Sequence, residues 1–205
     1  MKAFSIITVA SVSAWLLLSS LTVHAGNTVV NFDNPITAST IPSGESSPDD
    51  GVAVFSGVYE ENDFRVRPNG GIWYLAGDLG DPAGHLYSRT MPGLSQYLAI
   101  TRISGRTILI GGDFVMKTLT VQSTDGEAVL INVAGQDEGG SLLYNYLIQV
   151  PAGTTPVQLR LDTQLPAGAF LTPVNRVMIG AIGGVGIRLF EIQAEPKVSG
   201  GRKGR

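Results

Sequence analysis

The stretch DFVMKTLTVQS, residues 113–123, decides the fold class. Its apolar set, Phe114, Met116, Leu119 and Val121, recurs at every second position apart from one slip in phase at Lys117-Thr118. Alternation at that period describes a strand with one dry and one wet face. A single slip is what one extra residue, a β-bulge, produces. The segment VQLRL, residues 157–161, repeats the pattern without interruption: Val157, Leu159 and Leu161 alternate with Gln158 and Arg160.

On either side of these segments the apolar residues come in short runs broken by Gly, Pro, Asn, Asp and Ser, and helix signals are nearly absent from residue 26 onward. Strands are expected over 28–32, 52–59, 63–66, 72–75, 97–103 and 107–110. They continue over 113–123, 127–134, 141–150, 155–162, 176–182 and 185–194. Residues 37–51, with two Pro and three acids, read as a long exposed loop, and 76–93 as an irregular stretch rich in Gly, Asp and Pro. Arg67-Pro68-Asn69-Gly70-Gly71 has the chemistry of a turn. About a dozen short strands are more than one open sheet holds without curling or splitting. The expected architecture is therefore all-β: a two-sheet antiparallel β-sandwich, jelly-roll-like.

Composition narrows the chemistry. The 205 residues carry 14 basic and 17 acidic side chains, net −3, whereas a protein held to phosphates normally shows a basic excess. With no Cys, disulfides, thiolate metal sites and thiol nucleophiles are all unavailable. Residues 1–25 read as a secretory signal peptide: Lys2, an apolar run from Phe4 to Leu18, then Val23-His24-Ala25 before the expected cut. Ser5, Thr8, Ser11 and Ser13 dilute that run below the roughly 20 apolar residues of a membrane span. Residues 26–196 form the single expected domain, and 197–205 a flexible basic tail with Arg202, Lys203 and Arg205. The product is expected to be secreted or periplasmic, with no membrane span after the leader.

Beyond the leader the only His is His85, which leaves a catalytic triad one candidate base and a zinc site too few ligands. Phosphate-binding Gly-rich loops, HExxH and GxSxG are absent. A carboxylate pair for glycoside hydrolysis would have to come from Asp63, Asp78, Asp81, Asp113, Asp125, Asp137 or Glu138, residue types that also serve turns. No catalytic residue is assigned. A structural calcium ion is a candidate: Asp33 and Asn34 close the first strand, Glu191 sits on the last, and terminal strands of a sandwich can be neighbours. Solvated turn carboxylates are the alternative.

The aromatic residues Tyr59, Phe64, Trp73, Tyr74 and Tyr87 fall close together in the chain. Alternation in Ile72-Trp73-Tyr74-Leu75 sends Trp73 and Tyr74 to opposite faces, so one of them is a candidate to stack on a sugar, and Trp73 is equally a candidate core residue. Trp73, Tyr74 and Tyr87, with Asn69, Asp78 and His85 as hydrogen-bonding partners, make up the candidate ligand site.

In spacing and turn types the chain resembles a group of secreted bacterial β-sandwich proteins, many of them anchored by a PEP-CTERM sorting signal. The resemblance rests on VVNFD at 29–33, GDFVMKTL at 112–119, the Gly135–Gly140 turn and the closing strand at 187–194. The hydrophobic segment of the sorting signal is missing, and Phe190-Glu191 stands where the family's closing strand bears an Asp-Asn pair. In fold this group looks like galactose-binding-like carbohydrate-binding modules, which implies glycan binding. The expected function is a secreted, non-catalytic binding module for extracellular or cell-surface glycan. The alternatives are a self-associating structural or matrix protein and a polysaccharide hydrolase with a carboxylate pair.

Overall fold

The structure, a computed structural model, describes residues 26–32, 53–55, 58–71, 73–76, 85–88, 93, 96–103, 111–166 and 168–197, with backbone alone at 53–55, 74–76, 85, 87, 111, 112 and 170. The expectations for residues 1–25, Asp33 and Asn34, the 37–51 loop, Asp78 and Asp81, the 107–110 strand and residues 198–205 lie outside the described residues.

In chain order the strands are β1 (Thr28–Val30), β2 (Ala53–Phe55), β3 (Tyr59–Glu61), β4 (Phe64–Pro68), β5 (Trp73–Ala76), β6 (His85–Ser88) and β7 (Gln96–Ile103). They continue as β8 (Gly111–Gly112), β9 (Phe114–Ser123), β10 (Val129–Gln136), β11 (Leu142–Val150), β12 (Val157–Arg160), β13 (Arg176–Ala181) and β14 (Ile187–Pro196). They form two seven-stranded sheets. The first runs β12-β9-β14-β6-β5-β2, with β1 also on β14. The second runs β11-β10-β13-β7-β4-β3, with β8 beside β7. Every described strand pairing is antiparallel. The chain is a β-sandwich.

Alternation builds the core. Leu119, Val121 and Leu159 of the first sheet, and Leu98, Ile100, Ile131, Val133, Val177 and Ile179 of the second, are buried. Aromatic pairs fill one end of the interior: Phe32 lies against Tyr59 with ring centres 5.2 Å apart, and Phe64 meets Phe114 edge-on at 5.1 Å. Such geometries add to plain area burial.

The phase slip at Lys117 is a bulge. Gln193 pairs with Thr118 and Ala194 with Met116, which leaves Lys117 as the extra residue on β9. On β14, Phe190 is skipped in the same way between Leu189 and Glu191. Both bulges lie on the longest pairing of the first sheet, where extra residues increase the local twist.

Four expectations change. The run 52–59 is two strands in different sheets, β2 and β3. The stretch 76–93 contains β6, whose four residues are too few to show a period. The strand expected over 155–162 ends at Arg160, whose partner Thr118 adjoins the bulge. A single helical turn, α1 (Leu161–Gln164), follows there and keeps Leu161 in the core. Lys197, expected in the flexible tail, is tied down: its N–H donates to the Asp113 carbonyl at 2.8 Å, and its carbonyl accepts from Arg102 Nη1 at 2.9 Å.

Candidate functional site

Trp73 belongs to the interior. It is 0% exposed, and its indole Nε1 donates to the Gly70 carbonyl at 3.2 Å. A sugar ring cannot reach it without opening the sandwich, so the stacking role expected for Trp73 is withdrawn. Tyr59 and Phe64 are core residues too. Tyr74 and Tyr87 are direct cross-strand partners in β5 and β6, Ala76 is opposite His85, and Tyr87 is opposite Arg188 on β14. Their backbones therefore occupy one neighbourhood of the first sheet. Asn69 lies elsewhere, exposed at the end of β4, with its N–H donating to the Tyr97 carbonyl at 2.7 Å.

The terminal strands β1 and β14 are neighbours, Thr28 opposite Ala194 and Val30 opposite Ile192. Glu191, the one described member of the expected calcium set, accepts a hydrogen bond from Gln193 Nε2 at 2.8 Å. Among the described residues no three His, Cys, Asp or Glu side chains come together as metal ligands. The acids at turns do local work: Asp137 Oδ1 accepts from the Ser141 N–H at 2.7 Å and closes the β10–β11 hairpin.

A polar cleft of about 500 Å³ opens beside Asn27, Thr28, Val29, Asn62 and Asp63. It lies at the β3–β4 turn, where Asn62 and Asp63 both take positive φ, the conformation of tight hairpin turns. Glu61 braces this end. Its Oε2 accepts from the N–H groups of Asn31 and Phe32 at 3.0 and 3.1 Å and from the Tyr59 hydroxyl at 3.0 Å, joining the two sheets.

The outer face of the second sheet combines an aromatic ring, amides and cations. Register sets its rows. Asn132, Gly180 and Tyr97 stand side by side on β10, β13 and β7. The next row is Ala134, Met178, Ala99 and Arg67, and the third is Gln136, Arg176, Thr101, Arg65 and Glu60. A β-carbon on Gly180 would fall 2.5 Å from Tyr97 Cδ1 and 2.8 Å from Cε1. The tyrosine ring therefore occupies the space over the glycine, and it remains partly exposed. Arg65 is held by Glu60 through its Nε at 2.7 Å and through Nη2. Tyr97, Asn132, Arg67 and Arg176 were not singled out from the sequence. The signal available was the alternation of Tyr97, Ala99 and Thr101 with Leu98 and Ile100.

No family model and no curated protein matches this chain. Solved structures are similar at the level of a β-sandwich. A family 29 carbohydrate-binding module from Piromyces equi is 11% identical, with 71% of this chain and 90% of that one covered and a TM-score of 0.40. A DUF4465 family protein from Bacteroides caccae is 12% identical over 83% of this chain and 99% of its own, with a TM-score of 0.42. A family 29 module solved in complex with mannohexaose is 15% identical over 71% and 90%, with a TM-score of 0.40.

Proposed function

We propose that the protein is an extracellular, non-catalytic module that binds glycan on the outer face of its second sheet. The observation that carries this reading is Tyr97. It is a partly exposed ring set on the sheet above Gly180, in the same row as Asn132 and hydrogen-bonded through its backbone to Asn69. Sugars present an apolar face of C–H groups edged by hydroxyls, and an aromatic ring bordered by amides matches both parts. The leader-like residues 1–25 and the resemblance to exported bacterial sandwiches agree with an extracellular place of work. Among the described residues, no helix is long and apolar enough to cross a membrane. The backbone pairing of Tyr74 with Tyr87 offers a second glycan contact on the first sheet. Titrating an oligosaccharide panel into the wild type, Tyr97→Ala, and the Tyr74→Ala/Tyr87→Ala double variant tests the assignment. Binding lost in Tyr97→Ala supports the face, binding lost only in the double variant moves the site to the first sheet, and no binding by the wild type overturns the reading.

A second reading, self-association, is favoured by β11, an uncharged edge strand of nine residues that pairs, among the described strands, with β10 alone.

A further inference from the structure

We propose that the glycan is anionic, bearing carboxylate or sulfate groups held by Arg67 and Arg176; this rests on the glycan-binding reading above. The two residues flank β7 on the outer face of the second sheet. Arg67 on β4 pairs with Ala99, and Arg176 on β13 pairs with Thr101, two positions further along the same strand. Their backbones are therefore separated by two strand spacings, about 10 Å, and one pleat repeat. Long side chains from both sides can converge over the small residues between them. Tyr97 stands two residues from Ala99 on the same face with its ring over Gly180 of β13, so an oligosaccharide stacked there and running along the sheet would pass the rows that carry Arg67 and Arg176.

The charge balance on the face singles these two out. Arg65, in the same row as Arg176, is neutralised by Glu60, and Asp63 stands beyond Arg65 in the β3–β4 turn. Asp137, near the β10 end of that row, turns its carboxylate to the Ser141 N–H. Among the described residues neither Arg67 nor Arg176 has a carboxylate partner. The Arg176 Nε is shut off from solvent and has no acceptor among the described residues, a feature it shares with Arg102, whose Nη1 bonds the Lys197 carbonyl, and with Arg188 on the first sheet. A buried donor without a partner is costly, and guanidinium is the group that reads planar oxyanions through two parallel hydrogen bonds. In a chain of net charge −3, two arginines without a carboxylate partner among the described residues, beside an aromatic platform, are a selective feature rather than part of a general basic surface.

The test is calorimetric titration of the full chain with four probes: polygalacturonate, the same polymer fully methyl-esterified, a sulfated galactan, and neutral mannan. Stronger binding of polygalacturonate than of its ester, weakened at least tenfold by Arg67→Gln and by raised salt, supports a carboxylate-bearing ligand. The same pattern for the sulfated galactan alone supports a sulfate-bearing one. Arg67 is exposed, so its variant keeps the fold and can be compared directly; Arg176→Lys, which keeps the charge and removes Nε, should also weaken binding. Equal affinity for neutral and charged polymers overturns this inference and leaves glycan binding standing. Failure to bind any of the four in any variant overturns both.

Discussion

Tyr144 and Gly135 stand directly opposite each other on β11 and β10, and the tyrosine ring fills the place of a glycine side chain. A β-carbon on Gly135 would lie 2.4 Å from both Cε1 and Cζ of that ring and 2.7 Å from Val174 Cγ1. This happens on the inner side of the second sheet. Tyr97 and Gly180 repeat the relationship on its outer side. A ring covering a cross-strand glycine restores the packing that the missing side chain would leave open. The inner pair closes the core, and the outer pair holds a ring on the surface.

Gly135→Ala should therefore destabilise the protein by about 1–3 kcal/mol, because a well-packed site must be forced apart. Burial also pushes the Tyr144 hydroxyl well above the ordinary tyrosine range. With the folded value raised, the neutral phenol's contribution is complete below pH 10 and is lost as pH rises above that. Chemical denaturation of Gly135→Ala and of the wild type checks the first point. Alkaline unfolding of Tyr144→Phe against the wild type checks the second, the variant losing less stability above pH 10.

Gly180→Ala should separate fold from site poorly, while Tyr97→Ala should separate them well. The added β-carbon at 180 would come within 2.3 Å of the Gln96 carbonyl oxygen, which belongs to the backbone and cannot swing aside. Removing the Tyr97 ring takes away a partly exposed group and leaves the sheet paired. The expected result for Tyr97→Ala is an unchanged melting temperature within a few degrees and at least a tenfold loss of glycan affinity, equivalent to about 1.4 kcal/mol.

Trp73→Ala should behave in the opposite way. The indole is wholly buried and its N–H is satisfied within the protein, so truncation removes both packing and a hydrogen bond. A cost of about 3–5 kcal/mol is expected for a large aromatic in a core. Thermal unfolding should show a fall of many degrees, and any loss of ligand binding should follow unfolding rather than precede it.

The contrast between Trp73 and Tyr97 shows what could be read from the chain. The strand alternation at Phe114–Ser123 and its break at Lys117 were legible because period and slip are local properties, and both appear in the sheet register. The aromatic density between Tyr59 and Tyr87 was legible too, but it marked mostly core: Tyr59, Phe64 and Trp73 are all buried. The outer face is assembled from β4, β7, β10 and β13, whose residues lie far apart in sequence. Arg67, Tyr97, Asn132 and Arg176 become neighbours only once the strand order is known, and no period in a single sequence carries that order. Strand β6 was missed for a different reason: His85–Ser88 is four residues long, set among glycines, aspartates and prolines.

The bulge residue Lys117 has an electrostatic consequence. Its Nζ lies 2.7 Å from Glu195 Oε2, and Lys197 Nζ bonds the other carboxylate oxygen. The hydrogen bond from Lys117, then that from Lys197, holds the Glu195 carboxyl down at about 2, against an ordinary value of 4.5. Since the folded value is the lower one, the stabilisation is present above pH 4.5 and drains away as pH falls toward 2. Glu195→Gln should flatten the fall in melting temperature across that window while changing stability little at its acid end. Equal acid sensitivity in the two proteins would dismiss this triad as a contributor.

The β11 edge of the second sheet, unpaired among the described strands, supplies the last prediction. Strand β11 reads LLYNYLIQV, with no charge and no proline over nine residues, so it lacks the common devices that keep an edge from pairing. Leu143 and Leu147, 44% and 58% exposed, share its outer side with Asn145 and Gln149, and Leu130 on β10 extends the apolar surface. An antiparallel pairing of two copies about an axis through Asn145 would set Leu143 of one copy opposite Leu147 of the other, with the two Asn145 amides facing each other. Opposed apolar pairs and matched amides are both favourable across strands, and no like charges meet. Sedimentation at increasing concentration should then show dimer in the wild type. Leu147→Lys, which puts a cation near the axis of both copies, should be monomeric without a drop in melting temperature. A wild type that stays monomeric throughout a wide concentration range would leave β11 as an unpaired edge and remove self-association from the protein's repertoire.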